Sequence, residues 1–306
     1  PRAMPGPIAL TGATGFIGSR LLASLNNKRF KVRALTRTPR QDNELTQWIT
    51  GDVQDREALQ ALVRDASAVI HCAGIVRGFS EKQFIHANVD GTANLLNACS
   101  SAVPSVRFLL ISSLAAREPH LSWYARSKRL AEEKVQQHPG TLAWTIFRPT
   151  AVYGPGDREM KPLFRATRLG VLPMIGPPGN RFSLLFVDDL VAAIMHWVAA
   201  AEPVTGVFEL DDGTRGGYDF SAIARIAGQV WQRPVRTIPV PSGLVSALAR
   251  INLALAGLFR YAPMLTPGKT REIFHPDWRC DNAPLEKALP AWRPSVTLAE
   301  GLPLSV

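Results

Sequence analysis

Ile8-Ala9-Leu10-Thr11-Gly12-Ala13-Thr14-Gly15-Phe16-Ile17-Gly18 is the stretch that decides the fold. An apolar run over residues 7–11 enters a glycine-rich turn. Beyond it Phe16, Ile17, Leu21, Leu22 and Leu25 recur at helical spacing. Gly12 lets the backbone turn tightly, Gly15 lets it approach a pyrophosphate, and Gly18 lets helix and strand pack closely. The helix N-terminus then presents free N–H groups and the positive end of its dipole to an anion. Thr11, Gly12, Thr14, Gly15, Phe16, Ile17 and Gly18 are therefore expected to hold a dinucleotide.

Working outward, strand and helix signals alternate through the first half. Phe30 to Thr36 reads as a strand, and so does Trp48-Ile49, which ends at Gly51-Asp52. Asp55 is expected to cap a helix carrying Leu59, Leu62 and Val63. Ala68 to Cys72 is a strand closed by Gly74, residues 81–101 follow a long helical pattern, and Val106 to Ile111 is a nearly continuous apolar strand. A helix over 122–137 and a strand over 145–148 complete the alternation. This spacing predicts an α/β fold, a Rossmann-type doubly wound parallel sheet. After Arg148 the texture changes, because Pro149, Gly154, Pro155, Gly156, Pro173, Gly176, Pro177, Pro178 and Gly179 cut the chain into short pieces. The expected division is a nucleotide-binding domain over 1–153, joined again by a strand near 207–210, and a smaller C-terminal substrate-binding region over 154–306. Phe182 to Val187 resembles a strand, with Asp188 or Asp189 capping the next helix. Asp281 and Asn282 are expected to cap the last helices, and Trp292 to be core.

Tyr124 and Lys128 stand at i and i+4 on one helix face. A phenol with a pKa of about 10 is lowered by a neighbouring ammonium and can then exchange a proton near neutral pH. Ser113, at the end of the fifth strand, can hydrogen-bond a substrate oxygen, because ligands of open parallel sheets sit at the carboxyl ends of strands. Ser113, Tyr124 and Lys128 are the candidate catalytic group, and His71 is read as a packed strand residue.

The second strand ends at Thr36-Arg37, with no acidic residue before Asp42. An acidic residue there would favour NAD, whereas arginine accommodates the additional phosphate of NADP. NADP is thus preferred over NAD, with Arg37 gripping the phosphate and Arg33 or Arg40 assisting. Asp52 and Val53 are placed to meet the adenine edge, and the small Ala73 and Gly74 leave room for the cofactor.

The net charge of +10, from 35 Lys and Arg against 25 Asp and Glu, favours anionic partners, yet no basic run marks a nucleic-acid tail. Cys72, Cys99 and Cys280 have neither disulfide nor metal spacing. Reduced thiols and a cytoplasmic location are expected, with no metal and no nucleic-acid partner. Pro1-Arg2-Ala3 reads as an expression remnant before a start at Met4, no signal peptide is expected, and no membrane span is anticipated.

The motifs together resemble the extended short-chain dehydrogenase/reductases, a group of nucleotide-sugar epimerases, dehydratases, hydroxysteroid dehydrogenases and dihydroflavonol-type reductases. The resemblance runs over nearly the whole chain. It rests on Thr11-Gly12-x-x-Gly15-x-x-Gly18, Gly51-Asp52-Val53, His71-Cys72-Ala73-Gly74, Asn88-Val89-Asp90-Gly91-Thr92, Ile111-Ser112-Ser113, Tyr124-x-x-x-Lys128, Arg148-Pro149-x-x-Val152-Tyr153-Gly154-Pro155 and Val187-Asp188-Asp189-Leu190. It implies Ser113 and Tyr124 at the substrate oxygen, Lys128 on the nicotinamide ribose, and Pro149 to Val152 beside the nicotinamide. It also implies a homodimer formed through the helices around 81–101 and 122–137. Three departures bear on the substrate. Leu114 and Ala115 replace the acidic pair of the dehydratases. The stretch from Ser113 to Tyr124 is short for an epimerase. Phe186 stands where a histidine is usual, and Arg181 sits one position from the arginine that grips a sugar diphosphate.

These readings favour an NADP-dependent oxidoreductase acting on a carbonyl or secondary alcohol. A nucleotide-sugar epimerase with retained cofactor is the alternative, and a non-catalytic cofactor-binding subunit or redox sensor is the reading from another class. Trp123 and the later apolar segments point to a more apolar small-molecule substrate. Arg158, Arg168 and Arg181 are candidates for gripping an acidic group on it. Over 242–259 a helix carries Leu244, Val245, Leu248, Ile251, Leu255, Leu258 and Phe259 on one face. Packing over the domain is the preferred reading, followed by a lid over an apolar pocket and then by a membrane-surface helix.

Overall fold

Ile8 and Leu10 of the first strand pack into one core and Ala9 into another, and all three are fully buried. Leu109 and Ile111 against Phe108 and Leu110 repeat the division. Period-2 alternation between two buried faces requires helices on both sides of the sheet. The computed structural model describes residues 6–102, 106–140 and 142–306, so the remnant and start read at Pro1 to Met4 lie outside the described residues.

The first half comprises β1 (Ile8–Thr11), α1 (Phe16–Asn27), β2 (Val32–Thr36), β3 (Thr46–Thr50), α2 (Arg56–Val63), β4 (Ala68–His71), α3 (Glu81–Phe84), α4 (Gly91–Ala102), β5 (Arg107–Ile111), α5 (Trp123–Gln136) and β6 (Ala143–Pro149). The second half comprises β7 (Ala151–Tyr153), α6 (Lys161–Arg168), β8 (Val171–Ile175), β9 (Arg181–Phe182), β10 (Leu184–Phe186), α7 (Val187–Ala199), β11 (Gly206–Leu210), α8 (Phe220–Trp231), β12 (Arg236–Val240), α9 (Ser242–Phe259), α10 (Pro267–Phe274), β13 (Asp277–Trp278), α11 (Ala283–Ala288) and α12 (Leu298–Leu304).

Seven strands form one sheet in the order β11-β6-β5-β4-β1-β2-β3, all parallel. The doubly wound sheet expected from the sequence is present. Its strand order reverses between β1 and β4, the switch point at which such sheets bind ligands. The glycine turn after β1 and Cys72-Ala73-Gly74 after β4 meet there. A third core, with Tyr153, Phe164, Leu172, Phe186, Phe220 and Leu302, lies in the loop-rich half, where Tyr153 packs edge-on against Phe164 and Phe186 at 5.4 Å. Three two-stranded pieces, β10-β7, β12-β8 and β13-β9, frame it.

Several local expectations are corrected. The helical stretch from Glu81 is interrupted by a π-helical turn over Ile85–Asp90, which reorients Asn88. Ser183 separates β9 from β10 where one strand was expected. Neither Asp188 nor Asp189 caps α7, whose N-cap position is Phe186. Both lie in the first turn, where a carboxylate complements the helix dipole. Asp188 pairs with Arg20 at 2.6 Å, and Asp189 accepts from the backbone of Ser295 and Val296. The N-cap position of α11 is Asn282, whose side chain makes no cap hydrogen bond and instead bridges the backbone of Asp211, while Asp281 just before it accepts from Ala283 N at 2.9 Å. Trp292 is core and donates to Asp189 O.

His71 is 1 % exposed and joins three elements. Thr92 gives its hydroxyl proton to Asn88 O, so the 3.0 Å contact between His71 Nε2 and Thr92 Oγ1 requires the imidazole to donate. Nδ1 is then the acceptor for Thr11 Oγ1 at 2.6 Å, and Thr11 Oγ1 in turn accepts from Ala73 N. Burial, with the charge of Lys128 adding to it, pulls His71 down from 6.5 to about 3. The folded state therefore binds the proton less readily than the unfolded chain, and stability drains away as pH falls from about 6.5 towards 3. His71→Gln has no charge to gain. Its unfolding free energy, followed by urea titration at stepped pH, should fall less over that window, by on the order of a few kcal/mol.

Candidate active site

At the switch point the glycine turn is constrained by what surrounds it. Gly12 has φ +71°, and a Cβ on it would stand 2.7 Å from Ala73 N. A Cβ on Gly18 would lie 2.1 Å from Gly12 O, so α1 packs flush against the turn. Among the described residues no side chain caps α1 at Gly15 and no acid occupies its first turn. Its free N–H groups face the cleft, and the pyrophosphate of a dinucleotide fits this cradle.

Ser122 caps α5, accepting from Ala125 N at 2.9 Å, and this sets Tyr124 in the first turn and Lys128 one turn on. Ser113 begins a 3₁₀ turn at the end of β5 and accepts from Ala115 N. Its hydroxyl acts on the Tyr124 phenol, lowering the pKa of that group. Burial raises the Tyr124 pKa above 10; Ser113 and the ammonium of Lys269 pull it down, while Glu272 and Glu159 push it up. Lys128 is 8 % exposed and its Nζ donates to Ile111 O at 3.1 Å. Burial draws its pKa down to about 8, against the opposing pull of Cys72 and Glu132.

Two polar clamps hold these groups. Glu132, fully buried two turns beyond Tyr124, accepts from Arg148 Nε at 2.9 Å, from Arg148 Nη2 at 2.5 Å and from Ser112 Oγ at 2.5 Å. Helix α5 is thereby pinned to β6 and to the end of β5. Asn88, 2 % exposed, exchanges hydrogen bonds with the Ile75 backbone and donates to Ser127 Oγ at 2.9 Å. It fixes the loop after β4 to the same helix.

A cleft of about 1430 Å³ runs from the glycine turn past Ser113 and Tyr124 to apolar walls that include Leu163, Leu184, Phe220, Leu253 and Met264. Its volume exceeds the roughly 300–1,000 Å³ of a single drug-sized pocket and leaves room for a substrate beside a dinucleotide. Gly12, Thr14, Gly15, Phe16, Ile17, Gly18, Gly74, Pro149 and Val152 line it. Thr11 and Lys128 lie beneath it as buried supports. Arg37 and Asp52 stand outside it, just past the neighbouring ends of β2 and β3, where Gly51 N bonds Thr36 O. Val53 packs beneath Gly91, and Ala73 N is turned back to Thr11 Oγ1. The two assisting arginines are engaged elsewhere: Arg33 bonds Gln47 and the Arg64 carbonyl, and Arg40 lies 5.1 Å over the Trp48 ring. Arg158 and Arg181 line the cleft, whereas Arg168 stacks on Trp231.

Lys269 and Glu272 were not anticipated from the sequence. Glu272, 6 % exposed, accepts from Ser122 Oγ and from Lys269 Nζ, the latter at 3.1 Å. A Cβ on Gly268 would meet Ser122 Cβ at 2.8 Å, so α10 docks closely over the N-terminus of α5 and brings both residues to Tyr124. They are far from Tyr124 in the chain and belong to no local motif, so only the folded arrangement reveals them.

Comparison with known proteins gives a consistent account. The model of the NAD dependent epimerase/dehydratase family matches residues 8–209. Ceramide reductase of Caulobacter vibrioides is 36% identical over 94% of this chain and 90% of that protein. UDP-glucose 4-epimerase of Vibrio cholerae is 26% identical over 98% of this chain and 94% of that protein. Among solved structures, MoeE5 in complex with UDP-glucuronic acid and NAD superposes with a TM-score of 0.74 at 23% identity, covering 98% of this chain and 97% of that one, a likeness of fold.

The Glu132 clamp makes a quantitative expectation. Glu132→Ala leaves Arg148, whose side chain is 12% exposed, without its hydrogen-bonded carboxylate and with only Glu209 at 4.0 Å. It should destabilise the protein by about 3–5 kcal/mol in chemical denaturation, whereas Glu132→Met with Arg148→Met should recover most of that loss.

Proposed function

The chain belongs to the NAD dependent epimerase/dehydratase family and is an NAD(P)-dependent oxidoreductase or epimerase, and from that premise we propose that it reduces a ketone on an apolar, ceramide-like lipid, with NADPH preferred. The observation that carries this reading is the single cleft that joins the glycine turn and Tyr124 to apolar walls. Ceramide reductase at 36% identity supports the substrate class. Leu114 and Ala115 offer no carboxylate for eliminating water. Arg181 is paired with Asp219 at 3.5 Å and Phe186 is buried, which leaves little to hold a sugar diphosphate.

The glycine turn, Gly74, Pro149 and Val152 would hold the cofactor, which supplies the hydride to the carbonyl carbon. Ser113 donates a hydrogen bond to the carbonyl oxygen. Tyr124 gives that oxygen its proton, so the products are a secondary alcohol, the oxidised cofactor and a phenolate that regains a proton from water. Ser113 and Lys269 favour that phenolate, working against the burial that opposes it. Preference for NADPH rests on Arg37, exposed at the end of β2, where the chain carries no acidic residue before Asp42.

Purified protein given NADPH and a keto-ceramide should show falling NADPH absorbance. A UDP-sugar isomerised with no net absorbance change would instead establish the epimerase alternative. Tyr124→Phe should lower kcat by about 10² to 10⁴ with cofactor affinity nearly intact. Arg37→Ala should weaken NADPH by roughly tenfold and leave NADH nearly unchanged, as loss of one charge-assisted hydrogen bond predicts. Equal losses for both cofactors would remove Arg37 from the phosphate site.

A further inference from the structure

Helix α9 carries its large apolar side chains on the wrong side for a core helix. Leu244 is 53% exposed, Ile251 56%, Leu258 73% and Phe259 69%, and Leu248 and Leu255 lie between them on the same outward face. The helix packs over the domain, but not through its leucines. The helix rests on the protein through Val245, Ala249 and Ala256 instead, small or β-branched side chains that allow close approach. Tyr261 and Met264 extend the exposed apolar surface beyond its end.

The sequence on either side of this helix carries charge of one sign. From Phe220 to Arg271 the chain contains Arg225, Arg233, Arg236, Arg250, Arg260, Lys269 and Arg271, and no Asp or Glu. All seven are exposed. An apolar stripe on a helix that carries the exposed Arg250 and ends at the exposed Arg260 matches an anionic lipid surface, which takes up apolar side chains and attracts Arg and Lys together.

By length and composition alone α9 could cross a bilayer. The connections exclude that orientation. Immediately before α9, Val240 pairs with Ile175 in the β12-β8 ribbon. Beyond it, Asn252 Nδ2 donates to Leu265 O at 2.8 Å, Tyr261 OH donates to Asn252 O at 3.1 Å, and α10 closes over the active site. Both ends are tied to one folded body along the length of the helix. It therefore lies in the plane of a membrane, over about 27 Å for 18 residues.

We infer that α9 is an in-plane anchor that seats this protein on an anionic lipid bilayer through Leu244, Leu248, Ile251, Leu255, Leu258 and Phe259, with the flanking arginines on lipid phosphates. The opposite side of the same helix contributes Leu253 to the cleft, and Pro263, Met264 and Leu265 continue that wall. The anchor thus holds the cleft mouth against the acyl-chain region. Docking stands on exposure and charge alone; only its use, feeding a lipid ketone to Tyr124, rests on the function proposed above.

Flotation of the full chain with equimolar phosphatidylglycerol/phosphatidylcholine vesicles tests the anchor directly. Wild-type protein should float with these vesicles and largely lose binding to pure phosphatidylcholine or in high salt. Ile251→Glu combined with Leu258→Glu, both on the exposed face, should keep the circular dichroism spectrum and melting temperature and reduce partitioning by about a hundredfold or more, since each buried Leu or Ile contributes on the order of tenfold. Failure of the wild type to float, or equal flotation of the folded double variant, overturns the anchor. A dimer of the wild type that the double variant converts to monomer, without flotation, assigns the face to a second copy and overturns it equally. Turnover of a short-chain, water-soluble keto-amide with NADPH is scored separately: its absence with flotation intact leaves the anchor standing and removes only the ketone-reductase reading.

Discussion

A buried carboxylate holds the catalytic helix in place. Glu132 takes two hydrogen bonds from Arg148 and one from Ser112, so α5, β6 and the end of β5 share a fixed geometry. Tyr124, Lys128 and Glu132 follow at intervals of four on that helix, and the same face that presents the phenol to the cleft is locked at its far end. A buried ion pair of this kind is weak evidence for stability, because desolvation offsets most of the attraction. Its value here is positional: a change in the pitch or rotation of α5 would break three hydrogen bonds at once and shift Tyr124 relative to Ser113. Lys128, drawn down to about 8 by burial and held back by Glu132 among others, links this clamp to the proton chemistry.

The first half of the molecule was legible because its signals are local. A parallel strand buried on both faces is a short apolar run, a glycine turn that must admit a phosphate has few alternatives to glycine, and i, i+4 spacing places two side chains on one face. Where those rules competed with tertiary contacts they gave way. Asp188 and Asp189 look like caps, but Arg20 and the Ser295-Val296 backbone claim them. The helical period through Glu81 to Ser101 does not reveal the π turn, because one additional residue in the hydrogen-bonding pattern leaves most side chains near their helical positions. Glu132 and Arg148 gave no signal as a pair, since nothing in the chain states that the two will be buried together.

The second half was less legible for a different reason. Periodicity in α9 correctly gave a helix with one apolar face, but periodicity cannot say what that face meets. Lys269 and Glu272 depend on the close approach of Gly268 to Ser122, a contact between distant segments. The two features belong to one structural unit. Helix α10 brings charge to Tyr124, α9 lies beside it with its leucines outward, and the cleft passes beneath both, so the segment that completes the active site is also the one with the most exposed apolar surface.

The position of β11 in the chain has a kinetic consequence. It pairs along the full length of β6, from Gly206 with Thr145 to Leu210 with Pro149, although β7 to β10 and two helices are made in between. A nascent chain that has emerged only as far as α7 therefore displays the outer edge of β6 unpaired, with hydrogen-bonding groups ready for any neighbouring polypeptide. Long-range parallel pairing is slow to form because the loop must close before contacts reward it. During synthesis, protection from self-association depends on how soon the ribosome delivers a strand that contributes nothing to the chemistry.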